Sequence, residues 1–101
     1  MKIIAIDFDG TLCYGDYPNI GAPRHAVIER ARAEREKGAK LILWTCRGGE
    51  KLREALDWCA VHGLEFDAVN ENLPETIERF GTDPRKIAAD QYWDDRAVIP
   101  D

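Results

Sequence analysis

Apolar positions along this chain fall into two kinds of run, and their alternation predicts the elements. Lys2 to Phe8 (KIIAIDF) is β-branched, short for a helix and followed by a glycine turn, so it reads as a buried strand. Residues 9 to 22, rich in Gly, Asp, Asn and Pro, read as a loop or flap. Pro23 suits a first helical position, Val27, Ile28 and Ala31 give an apolar stripe, and Gly38 closes the helix. Ala39 to Thr45 (AKLILWT) is a second strand. Leu52, Ala55, Leu56 and Cys59 then recur at i, i+3, i+4 and i+7 before Gly63, which predicts the clearest helix. Leu64 to Val69 reads as a third strand, Pro74 to Phe80 as a short helix ending at Gly81, and Ile87 to Trp93 as a fourth strand.

Strands alternating with helices predict right-handed βαβ units: an α/β, Rossmann-like, three-layer α/β/α sandwich around a short, mainly parallel sheet. In such sheets ligands sit beyond the carboxyl ends of the strands. The length of 101 residues predicts a single domain over 1–101.

Composition narrows the class. Hydrophobic residues at 45% and charged residues at 33% describe a soluble globular chain. No apolar run approaches the roughly 20 residues that span a bilayer, and the N-terminal run lacks a basic leader, which points to a cytoplasmic protein with no membrane partner. Cys13, Cys46 and Cys59 lack CxxC spacing and read as free thiols. A formal net charge of −5 argues against nonspecific nucleic-acid binding. The basic cluster at Arg24, Arg30, Arg32, Arg35 and Lys37 is balanced by Glu29, Glu34 and Glu36 and reads as a solvated helix face.

The chemistry gathers at the strand ends. Strand one ends in Asp7-Phe8-Asp9-Gly10-Thr11, strand two in Trp44-Thr45-Cys46-Arg47-Gly48, strand three in Asn70-Glu71-Asn72 and strand four in Asp94-Asp95. Carboxylates converging on one edge repel one another and titrate upward unless a cation sits among them. Hard oxygen donors of this kind suit Mg²⁺. Asp90, inside the fourth strand, reads as a buried Asp bonded to loop backbone. Trp44, Trp58 and Trp93 read as core or sheet-covering residues, and His25 and His62 as structural helix residues.

DFDGTL, the hydroxyl residue of WTCRGG and the acidic pair of ADQYWDD resemble motifs one, two and four of the haloacid dehalogenase superfamily of phosphohydrolases, in order and spacing over nearly the whole chain. That resemblance implies a Mg²⁺-dependent phosphatase that hydrolyses a phosphomonoester, carried by a small molecule or a macromolecule, through an aspartyl-phosphate. It implies Asp7 as nucleophile, Asp9 as general acid and then base, and Thr45 as donor to a phosphoryl oxygen with backbone N–H groups at Gly48 and Gly49. Metal ligands would be the Asp7 carboxylate, the Asp9 carbonyl and Asp94, with Asp95 a weak ligand or an acceptor orienting metal waters.

The family's third motif, a Lys or Arg beside the nucleophile, has no evident match. Lys86 would emerge at the opposite sheet edge, and Arg47 is the nearby cation expected on the substrate phosphate. No cap domain interrupts the motifs, so a capless core is implied, with Tyr14 and Tyr17 of a flap at about 11–22 as candidate walls. The chain ends at Asp101, so the fifth strand of relatives is expected to be absent or cut off, and an exposed fourth-strand edge favours a homodimer. Two other functions fit the motifs: a phosphate-accepting, receiver-like signalling domain, against which stands Asn70 where a phosphoacceptor Asp is needed, and a catalytically silent metal-binding protein.

Overall fold

A computed structural model describes residues 1–100. Four strands, β1 (Ile3–Ile6), β2 (Lys40–Leu43), β3 (Ala68–Val69) and β4 (Gln91–Trp93), form one sheet in the order β3-β2-β1-β4, and every pairing is parallel. Between them lie α1 (His25–Glu36), α2 (Gly49–Val61) and α3 (Pro74–Phe80).

The topology follows from where each apolar stripe can be buried. Ile4, Ile6, Leu41 and Leu43 point to one face and meet Ile28 and Ala31 of α1 and Ala55 and Cys59 of α2. Ala5, Ile42 and Ala68 point to the other and meet Leu73 and Ile87 on the α3 side. Both faces of β1 and β2 are thus buried, which is why these two strands read as continuous apolar runs rather than alternating ones, whereas Tyr92 leaves one face of the edge strand β4 exposed. Each fully buried Ile or Leu contributes on the order of 1.5–3 kcal/mol. These are the three layers of the α/β/α sandwich.

The first two strands are shorter than read, Ile3–Ile6 and Lys40–Leu43 against Lys2–Phe8 and Ala39–Thr45, and three further boundaries differ for identifiable reasons. The third strand starts at Ala68 rather than Leu64, because the Asp67 side chain occupies the ladder: its Oδ2 accepts from the Leu41 N–H and from Arg35 Nη1, both at 2.9 Å. The fourth strand starts at Gln91 rather than Ile87 for a similar reason. Asp90 is exposed at the sheet's opening edge, where its Oδ2 accepts from the Ile3 N–H at 2.7 Å, so it is not a buried aspartate on a loop. Pro23 lies ahead of α1 in a bridge to Cys13, and the helix begins at His25.

Cys13, Cys46 and Cys59 are free thiols. Trp58 packs edge-on against Phe8, with centroids 5.4 Å apart, and His62 stacks on Trp58. Among the described residues no helix is long and apolar enough to cross a membrane.

Candidate functional site

The ladder runs one residue beyond the strands. The Asp7 N–H donates to the Trp93 carbonyl and the Trp44 N–H to the Ile6 carbonyl, both at 2.9 Å, while the Asn70 N–H donates to the Leu43 carbonyl at 2.8 Å. These bonds set the four strand ends side by side. Directly after Asp7 the chain turns back, with the Phe8 carbonyl accepting from the N–H groups of Thr11 and Leu12 at 3.2 and 3.0 Å. Gly10 sits at φ 89°, a conformation that calls for glycine, and a Cβ there would displace the Asp95 carboxylate.

That close approach brings the acidic groups together. Carboxylate oxygens of Asp7, Asp94 and Asp95 lie within 4.8 Å of one another. Burial first, then the charges of Asp94 and Asp95, push the Asp7 carboxyl up to about 6, against hydrogen bonds from the Phe8 N–H and Thr11. Three hard oxygen donors crowded at the cost of like-charge repulsion are the donor set that a divalent cation such as Mg²⁺ accepts. Asp95, expected as a weak ligand or an acceptor for metal waters, places a carboxylate oxygen in this cluster alongside Asp94.

Asp9 lies outside the cluster, because its carboxylate faces Arg47. Nε of Arg47 donates to Asp9 Oδ2 and Nη2 to Oδ1, each at 2.8 Å. Nη2 also donates to the Asn19 carbonyl at 2.9 Å, and Nη1 donates to the carbonyls of Pro18 and Lys51 at 3.5 and 3.4 Å. The guanidinium is sandwiched between Phe8 and Tyr17, and the side chain is 1% exposed. Its five N–H groups are therefore all committed within the protein. Asp9 raises the pKa of Arg47 further above its ordinary value. Arg47, expected on the substrate phosphate, lines the cleft but in this structure has its guanidinium joined to Asp9, the flap and the first turn of α2.

Thr45 stands at the cleft with its hydroxyl proton still free. Its N–H donates to Asn70 Oδ1 at 2.8 Å, and its Oγ1 accepts from the Arg47 N–H at 3.1 Å. Gly48, expected on the phosphate, is the extended N-cap residue of α2 and does not line the cleft. The cleft has a volume of about 750 Å³, bounded by Asp7, Asp9, Thr45, Asp94, Asp95 and Arg96 with Tyr17 of the flap as a wall. Tyr14 turns away beneath Arg24, and Lys86 does not reach the cleft.

Several contributors escaped the sequence reading. Thr11, buried, donates to Asp7 Oδ2 at 3.4 Å and accepts from the Asp95 N–H at 3.0 Å, so one hydroxyl spans the strand-one and strand-four motifs. It is the Thr of DFDGTL, and that was its available signal. Arg24 Nη1 holds the Gly10 carbonyl at 2.7 Å. Asn70 has φ 54° and positions the Thr45 backbone, while Asn72 is a buried hub bonded to Asp83, Pro84 and Ala88. Arg96 had no signal beyond adjacency to the acidic pair.

A small all-parallel α/β domain with an acidic cleft at its strand ends is thereby defined. No protein-family model matches the chain, and no curated protein matches it. A solved structure described as a conserved protein from Bacteroides thetaiotaomicron is 44% identical, with a TM-score of 0.85 over 99% of this chain and 82% of that one. The chain belongs to the same family as that conserved protein.

Proposed function

We propose that this protein is a Mg²⁺-dependent phosphomonoester hydrolase of the haloacid dehalogenase type, working through an aspartyl-phosphate. The observation that carries the reading is the Asp7–Asp94–Asp95 cluster in one cleft that Thr45 also lines. Asp7, Asp94 and Asp95 would hold the cation, which supplies charge neutralisation for the carboxylates and the phosphoryl oxygens.

Asp7 attacks phosphorus, the ester P–O bond breaks, and the phosphoryl group passes to the carboxylate; water then cleaves the acyl phosphate to free Asp7 and release phosphate. Thr11 orients Asp7 through its hydroxyl. Thr45 donates to a non-bridging oxygen. Asp9 protonates the leaving oxygen and then accepts the proton of the attacking water. Both Asp9 oxygens are bonded to Arg47, so proton donation requires Asp9 to release one of those bonds. Movement of the flap, which shares Arg47, belongs to the cycle.

The experiment is turnover of p-nitrophenyl phosphate with and without Mg²⁺ by wild type and Asp7→Asn. Mg²⁺-dependent release that vanishes in Asp7→Asn supports the reading, and turnover that survives the substitution sinks it. The Arg47–Asp9 lock favours one other reading, a protein that binds metal and phosphate without turnover. Mg²⁺ binding with no hydrolysis across a panel of phosphate esters would select it.

A further inference from the structure

We propose that Arg96 is the phosphate-binding cation of the cleft; the proposal takes from the phosphatase reading only that the ligand is a phosphoryl group. Five carboxylates line the cleft, those of Asp7, Asp9, Asp16, Asp94 and Asp95, against two guanidiniums, Arg47 and Arg96. Five minus two leaves an excess of three negative charges. A phosphate anion entering such a field needs positive charge beyond what a single divalent cation brings, and it needs donors that are not already in use.

The other basic groups nearby are either committed or lie outside the cleft. Arg47 spends all five N–H groups on Asp9 and on carbonyls. Arg24, which holds the Gly10 carbonyl and covers Tyr14, and Arg30, which lies over the Trp93 ring at 4.8 Å, line a separate groove rather than the cleft, and Lys51, also outside the cleft lining, pairs with Glu54. Among the described residues the Arg96 guanidinium has neither an ion pair nor a hydrogen bond, and it lines the cleft.

Its backbone, by contrast, is pinned. The Arg96 N–H donates to Asp94 Oδ1 at 2.9 Å, the Ala97 N–H to the Asp94 carbonyl at 3.2 Å, and the neighbouring Asp95 N–H to Thr11 Oγ1 at 3.0 Å. One short turn after β4 thus carries two acidic ligand candidates and, on a fixed root, a free planar fork. A guanidinium presents parallel N–H groups that match two oxygens of one phosphoryl group. The positive charge missing after β3, where Asn70 and Asn72 are tied to Thr45 and to Asp83, is supplied after β4.

The test is calorimetric binding of inorganic phosphate to the Mg²⁺-loaded protein for wild type, Arg96→Ala and Arg96→Lys, with Mg²⁺ affinity and the unfolding midpoint measured alongside. Arg96→Ala is expected to weaken phosphate roughly 10- to 100-fold while Mg²⁺ affinity and midpoint hold, with partial recovery in Arg96→Lys. Phosphate affinity of Arg96→Ala within about twofold of wild type overturns the proposal. If that result comes with p-nitrophenyl phosphate turnover intact in wild type, the phosphatase reading survives and the role of Arg96 alone falls. A wild type that binds Mg²⁺ but neither binds phosphate nor turns over an ester overturns both.

Discussion

Replacing the nucleophile candidate is expected to make the metal-free protein more stable at neutral pH. The Asp7 carboxyl is pushed up from 3.8 to about 6 by burial and by the charges of Asp94 and Asp95. That gap, 6 − 3.8 = 2.2 pH units, corresponds to about 3 kcal/mol. Asp7 is only partly buried, so solvent screening brings the figure to about 1–2 kcal/mol. The sign follows from proton affinity. The folded protein holds this proton more tightly than the unfolded chain, so the favourable contribution is complete below pH 3.8 and is lost as pH rises through about 6. Above that pH the ionised carboxylate is a standing cost, and Asp7→Asn removes it. At pH 7.5 in EDTA the Asn variant should melt roughly 5–10 °C above wild type, and at pH 3.5 the two should nearly coincide. Adding Mg²⁺ should favour wild type, because binding to the folded state stabilises by mass action. Scanning calorimetry at the two pH values, with and without EDTA, decides it. An Asn variant no more stable than wild type at pH 7.5, or a gain of equal size at pH 3.5, refutes the electrostatic account of the cluster.

Two further outcomes test the frame around the cluster. Arg47→Met strips a buried donor set from Asp9 and the flap carbonyls and should destabilise by about 3 kcal/mol in urea unfolding; hydrogen exchange at Asp16–Asn19 should accelerate, and unchanged exchange there would show that Arg47 does not hold the flap. At Asn70, with φ 54°, Gly keeps the backbone conformation and loses only the acceptor for the Thr45 N–H, whereas Ala also strains the backbone. Asn70→Ala should therefore cost about 1 kcal/mol more than Asn70→Gly in unfolding free energy, and equal midpoints would contradict the strain argument.

Much of the fold was legible because its cause is local. Runs such as KIIAIDF and AKLILWT are apolar on both faces since helices cover both faces of a parallel sheet, and the i, i+3, i+4, i+7 pattern from Leu52 to Cys59 marks the stripe that α2 buries. The short third and fourth strands were not legible. Asp67 and Asp90 put side-chain oxygens where strand carbonyls would have continued the ladder, and a β-branched pattern carries no record of that exchange.

In the cleft the division is sharper. The sequence by itself placed Asp7, Thr45, Asp94 and Asp95 at one edge, because βαβ connectivity sends every strand's carboxyl end the same way and each motif directly follows its strand. Only the tertiary structure decided which charges meet. Asp9 and Arg47 are 38 residues apart and pair because the chain reverses at Gly10 and α2 starts just after Thr45, while Thr11 reaches Asp95 across 84 residues. Arg47 stood in the sequence as the cation near the substrate, and in the fold it is enclosed by Phe8 and Tyr17 and consumed by Asp9. Whether an arginine serves the protein or its ligand depends on how many of its donors the folded chain has already taken, and that number is set by packing between segments distant in sequence.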